Sequence, residues 1–155
     1  MRGTGIKIHN DGPDPMNLVI DTNRIMAALL KDSSSRRIIL HDSFSFYAPD
    51  YMGTEIRKHR PYLMKKAKIP KPDFDLLMDT LLEHVTLVPF EDFEHEYEHA
   101  VRIMETIDEN DSSFLAVGLA LGIGSIRTED RHFFRQNLLK VCSTRDLLET
   151  IQPER

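Results

Sequence analysis

Apolar residues along this chain fall into two alternating rhythms. Short unbroken runs at 17–20 (NLVI), 44–48 (FSFYA), 85–89 (VTLVP), 125–128 (SIRT) and 139–143 (LKVCS) have the length and the β-branched or aromatic content of buried strands. Between them lie stretches with helical spacing: residues 22–32 and 36–43, a basic segment from about 51 to 68 broken before Pro61, and 73–84 with Phe74, Leu77, Leu81 and Leu82 on one side. Further helices are predicted over 92–107, over 111–121 with its end at Gly122 or Gly124, and over 144–151. Strands that alternate with helices predict an α/β fold whose parallel sheet is covered on both faces. Residues 1–15 carry Gly, Asp and Pro without periodicity, so an irregular extension is expected before a single domain over 16–155.

Composition narrows the picture only a little. At 155 residues the chain has room for one sizeable core, and 41% hydrophobic with 29% charged residues is a globular balance. No apolar run approaches the ~20 residues of a membrane helix, and no signal-peptide apolar region stands near residue 1, so no membrane partner is expected. The single cysteine, Cys142, excludes an intrachain disulfide and suits a reducing cytoplasm. A net charge of −5 argues against a uniformly basic coat but leaves room for basic patches and for an acidic pocket that holds cations.

The stretch HEYEH at 95–99 has the histidine spacing of a zinc-peptidase helix. On a helix over 92–107, however, Phe93, Tyr97, Ala100, Met104 and Ile107 form the apolar stripe. His95 and His99 then lie roughly opposite it, beside Arg102. A third ligand from His84 or His132 is not required by any spacing, and a solvated helix face is the expected reading.

Carboxylates placed where strands end carry more chemistry. Asp21 follows the run LVI, and Asp130 lies two residues past SIRT. Glu55 is near the start of the helix after the second strand, and Asp111 opens the helix before the fourth. In an open parallel sheet all four belong to the C-terminal edge, where ligands collect. Each has a plain alternative: Asp21, Asp111 and Asp130 as helix caps, Glu55 as a partner of a helix dipole. Crowded together they would repel one another unless a cation neutralised them, and oxygen donors without clustered Cys or His select Mg²⁺ or Mn²⁺. Such an ion can polarise a phosphate oxygen and activate water for in-line attack.

LVIDTN at 18–23, the Glu55 helix, DENDSSFLAVGLALG at 108–122 and IRTEDRHF at 126–133 together resemble the PIN-domain family of metal-dependent ribonucleases. The likeness covers most of 17–150, closing on VCSTRDLLE, with the elements in family order. It implies a three-layer α/β/α fold around a mainly parallel sheet of about five strands, and an acid quartet binding Mg²⁺ or Mn²⁺. By that resemblance Asp21, Glu55, Asp111 and Asp130 are the catalytic and metal-holding residues, with Asp108 competing for the place of Asp111, while Asn23 and Thr128 orient the acids. It also implies an RNA substrate, single-stranded by default, a homodimer, and either an antitoxin partner or a role in RNA processing. Arg24 and Arg127 depart from the family pattern; each either touches substrate phosphate or is neutral.

A nuclease must hold a polyanion. Arg57, Lys58, Arg60, Lys65, Lys66, Lys68 and Lys71 follow Glu55 closely and are candidates for a phosphate path, with Arg131 and Arg135 on the other wall; a solvated helix face is the alternative. A non-catalytic RNA- or protein-binding module is the rival from another class. Haloacid-dehalogenase-like phosphatase chemistry is disfavoured, because Asp21 is followed by Thr22-Asn23 and lacks the second aspartate.

Overall fold

The five apolar runs are the five strands of one parallel sheet. A computed structural model describes residues 14–31, 33–105, 107 and 111–151. Its strands are β1 (Met16–Ile20), β2 (Phe44–Pro49), β3 (Val85–Val88), β4 (Ser125–Arg127) and β5 (Lys140–Cys142), in the order β3-β2-β1-β4-β5. Every pairing is parallel.

Eight α-helices are present among the described residues: α1 (Thr22–Leu30), α2 (Ser33–Ile39), α3 (Tyr51–Lys58), α4 (Arg60–Ala67), α5 (Lys71–Glu83), α6 (Phe90–Met104), α7 (Ser112–Leu121) and α8 (Thr144–Ile151). Strand order moves one way from β1 to β3, so right-handed crossovers put α1–α5 on one face. The chain then returns past β1 to β4, which puts α6 and α7 on the other. Packing agrees: α1 meets α2, α4 and α5, α2 meets α8, and α7 packs on α6, β1 and β2. The result is a three-layer α/β/α fold with strands buried on both faces, as continuous runs such as Leu18-Val19-Ile20 require.

Several boundaries differ from the sequence pattern for local reasons. The helix expected over 36–43 is α2, which starts at Ser33 and stops at Ile39. The His41 ring accepts the backbone N–H of Ser43 at 3.0 Å, which gives the chain a turn in place of another helical turn. The basic segment breaks at His59, where Pro61 in the first turn of α4 supplies a fixed φ and no N–H. On α6, Phe93, Ala100 and Met104 are buried and His95 is exposed, as the stripe predicted. Asp108 and residues 1–13 lie outside the described residues.

Helix α7 is apolar on nearly all sides because it lies between the sheet and α6. It ends at Gly122, whose φ of 70° is a left-handed conformation that glycine adopts without steric cost. Within α7, Gly118 allows close approach: a Cβ there would lie 2.5 Å from Cδ2 of Leu139, itself 2% exposed. Overpacking of ~1–3 kcal/mol should outweigh the roughly 1 kcal/mol of helix propensity that alanine adds. Gly118→Ala is therefore expected to lower the melting temperature by about 2–4 °C, and Leu139→Ala in the same chain to relieve the clash. An unchanged melting temperature would contradict so close a contact.

Candidate active site

The strand order reverses between β1 and β4, and the C-terminal ends of these two strands open a crevice. Their register pairs Ile20 with Arg127, so the next residues, Asp21 and Thr128, face each other across it. The crevice is part of a cleft of about 410 Å³ lined by Asp21, Thr22, Asn23, Met26, Tyr51, Glu55, His59, Tyr62, Asp111, Phe114 and Asp130. All four acids named from the sequence thus line one cleft, each delivered by a different element.

Asp21 is the most buried of them, at 6% exposure. It does cap α1, since one carboxylate oxygen accepts the Arg24 N–H at 3.0 Å, and the other accepts the Thr128 hydroxyl proton. Desolvation raises its pKa; these bonds and the Arg24 charge pull the other way, and the nearby Asp130 charge adds to the rise. Thr128, fully buried, also takes the Asp130 N–H on its hydroxyl oxygen at 2.9 Å. One hydroxyl therefore fixes both Asp21 and the backbone that carries Asp130.

Asp130 caps the short 3-10 helix Arg131–Arg135 by accepting the His132 N–H at 2.9 Å. Asp111 sits at the start of α7 but makes no side-chain cap, so capping does not explain its presence. Its Oδ2 lies 3.4 Å from Nδ1 of His132, which is also 3.3 Å from Oδ1 of Asp130. Ligand-capable atoms of Asp111, Asp130 and His132 fall within 4.8 Å of one another, and among the described residues no other three His, Cys, Asp or Glu side chains do so. Across the cleft, Glu55 on α3 accepts the Thr22 hydroxyl at 3.1 Å.

Two residues carried no sequence signal for this site: Tyr51 in the cleft lining, and His132 beside Asp111 and Asp130. Tyr51 meets the ring of Phe114 edge-on, and its phenol is pushed up to about 12 by desolvation and then by the Glu55 charge. It remains a neutral hydroxyl beside the acids. His132 was visible only as a stray histidine, because its role depends on the turn that Asp130 caps. Thr22, rather than Asn23, holds Glu55; Asn23 is exposed on the cleft wall.

The basic residues divide. Arg57, Lys58, Arg131 and Arg135 are exposed and lie outside the cleft lining. Arg60 binds Asp75 at 2.5–2.9 Å and Lys71 reaches the same carboxylate at 3.4 Å. Arg127 is 1% exposed and bonded to Glu129, Thr144 and the carbonyls of Thr128 and Cys142, so it touches protein and not substrate phosphate. Its burial reflects the strand end it occupies, between β1 and β5. His95 and His99 are exposed, and His99 pairs with Glu96 at 3.2 Å, in keeping with a solvated face. His84 is bonded to the Thr80 carbonyl at the end of α5.

The donor set fits a hard divalent cation. Four carboxylates line the cleft, and two of them, Asp111 and Asp130, lie close enough to His132 to share an ion with its imidazole nitrogen. A family model described as PIN domain matches residues 19–152. No curated protein matches the chain significantly.

Proposed function

Since this chain belongs to the PIN-domain family, whose members are generally nucleases acting on RNA with divalent metals, we propose that it is an endoribonuclease dependent on Mg²⁺ or Mn²⁺. The observation that carries this is the convergence of Asp21, Glu55, Asp111 and Asp130 from four elements on one cleft. These four would hold the ion, with His132 as a nitrogen donor that favours a transition ion such as Mn²⁺. Once bound, the ion supplies Lewis-acid polarisation of a phosphate oxygen and a lowered pKa for water.

The chain's own residues prepare the site for that ion. Thr128 orients Asp21 and the Asp130 backbone, and Thr22 orients Glu55, so the carboxylates need little reorganisation on binding. Tyr51, held neutral, can donate a hydrogen bond to a phosphate oxygen without adding charge. Exposed Arg57, Lys58 and Arg131 stand on elements that flank the cleft and would meet the RNA backbone beyond the reacting phosphate.

The test is incubation with labelled single-stranded RNA plus Mn²⁺ or Mg²⁺, with EDTA and readdition of metal. Cleavage should appear with the ion, stop with EDTA and be lost in Glu55→Gln. Cleavage that persists in EDTA would sink the mechanism; RNA binding without any cleavage would favour a non-catalytic binding module.

A further inference from the structure

A second concavity opens beside the acidic cleft, and it is larger, at about 860 Å³. It runs between the end of α1 and helix α4, lined by Leu30, Lys31, Tyr62, Lys65, Lys66, Ala67 and Lys68. Tyr62 belongs to both linings, so cleft and groove are continuous at its ring. Four lysines with no acid among the described lining residues form a strongly cationic surface on a chain whose net charge is −5. The fold has sorted the basic segment to produce it. Arg60 and Lys71 are held by Asp75, whereas Lys65, Lys66 and Lys68 line the groove and are joined there by Lys31, the residue just past the end of α1.

Two details point to use. Tyr62 is 59% exposed, and the Lys66 ammonium lies 5.8 Å from the centroid of its ring. An aromatic face with a cation over it, at the mouth of a cationic groove, is the arrangement that stacks an unpaired base while the groove neutralises the following phosphates. Lys68 is the one non-glycine residue with positive φ among the described residues, at φ 59° and ψ 39°. Glycine would end α4 there without strain, so lysine is the more costly residue for the backbone and the more useful one for a polyanion.

We infer that this groove binds the flank of a single-stranded polynucleotide whose reacting phosphate lies in the acidic cleft, with Tyr62 stacking on an unpaired base where the two meet. The inference rests on the nuclease reading for the nature of the strand, but its test does not need catalysis. Duplex fits poorly, because its bases are already stacked and unavailable to Tyr62.

Fluorescence anisotropy of the full chain with a fluorescein-labelled single-stranded RNA, in EDTA, measures strand binding without cleavage, and the groove's share of it is read from the variants. Lys65→Ala with Lys66→Ala should weaken binding and lower the slope of log affinity against log salt by about 1.4, at roughly 0.7 per phosphate contact. Tyr62→Ala should weaken it about tenfold while Tyr62→Phe keeps it. Lys68→Gly should weaken binding yet raise the melting temperature, which separates lost contact from lost folding. Unchanged affinity and slope in the lysine variants would overturn the inference. So would duplex RNA bound as tightly as single strand, or an oligoglutamate peptide bound more tightly than RNA through the same lysines, which would assign the groove to an acidic protein segment. Groove binding without cleavage would defeat the nuclease reading alone; cleavage with no effect of these variants would defeat the groove alone.

Discussion

Asparagine in place of Asp21 is expected to cut RNA cleavage by on the order of 10³-fold or more, the scale seen when one group stabilising developing charge is removed. The same change is expected to raise the melting temperature of the metal-free protein. Asparagine caps a helix as well as aspartate does, so the bond from the Arg24 N–H survives, while its amide NH₂ must donate to the Thr128 hydroxyl oxygen instead of accepting its proton. What goes is a carboxylate at 6% exposure whose burial raises its pKa above the ordinary 3.8. The sign follows from proton linkage. A carboxyl that binds its proton more tightly when folded adds stability at low pH, and this is lost as pH rises from 3.8 through the raised folded value. At neutral pH the group is a standing penalty, which asparagine removes and a bound divalent cation offsets. Thermal melts at neutral pH with Mn²⁺ and with EDTA check this. The wild-type chain should gain stability from the ion, and Asp21→Asn should gain less. A variant that melts lower than wild type, or still cleaves RNA at the wild-type rate, would refute the role given to this carboxylate.

Arg127→Ala should be the most destabilising single change described, at about 3–4 kcal/mol. The guanidinium donates to the Thr128 carbonyl at 3.2 Å, the Cys142 carbonyl at 3.3 Å and the Thr144 hydroxyl. It also pairs with Glu129 at 2.9 Å, but that carboxylate is 48% exposed and solvent screens the pair. The loss comes mainly from buried carbonyls left without a donor and from the cavity behind the side chain. At roughly 2–4 °C per kcal/mol for a chain of this size, the melting temperature should fall by about 6–16 °C. Lysine should restore only part of it, since a point charge cannot span three acceptors as a planar fork does. Because Thr128 follows directly, cleavage should weaken even where the variant remains folded. If Arg127→Ala kept its melting temperature and lost only RNA affinity, a direct phosphate contact would replace this structural role.

How far the site was legible depended on which neighbours each residue needed. Asp21 was legible because an aspartate directly after an apolar run marks a strand end in any parallel sheet. Arg127 was not, since a charged residue in a strand reads the same whether its partner is solvent or the carbonyl of a residue fifteen positions on. His132 and Tyr51 were missed for a related reason: neither has a spacing signature, and each joins the acids only through packing, His132 where Asp111 meets the turn after β4 and Tyr51 where α3 meets Phe114 of α7. The basic segment was visible as a run, but which lysines share a groove depended on where Asp75 sits on the next helix.

Hydrophobic rhythm, strand-end acids and helix-breaking prolines are local properties, fixed by covalent geometry and by which face of an element must leave water. They were enough to specify five parallel strands, two covering layers and the edge at which the acids would gather. The pairing of Thr128 with Asp21, the burial of Arg127 and the single wall shared by the cleft and the lysine groove were settled by packing. Each joins residues distant in the chain through contacts of a few ångströms, and those distances exist only after the sheet has set its strand order and register.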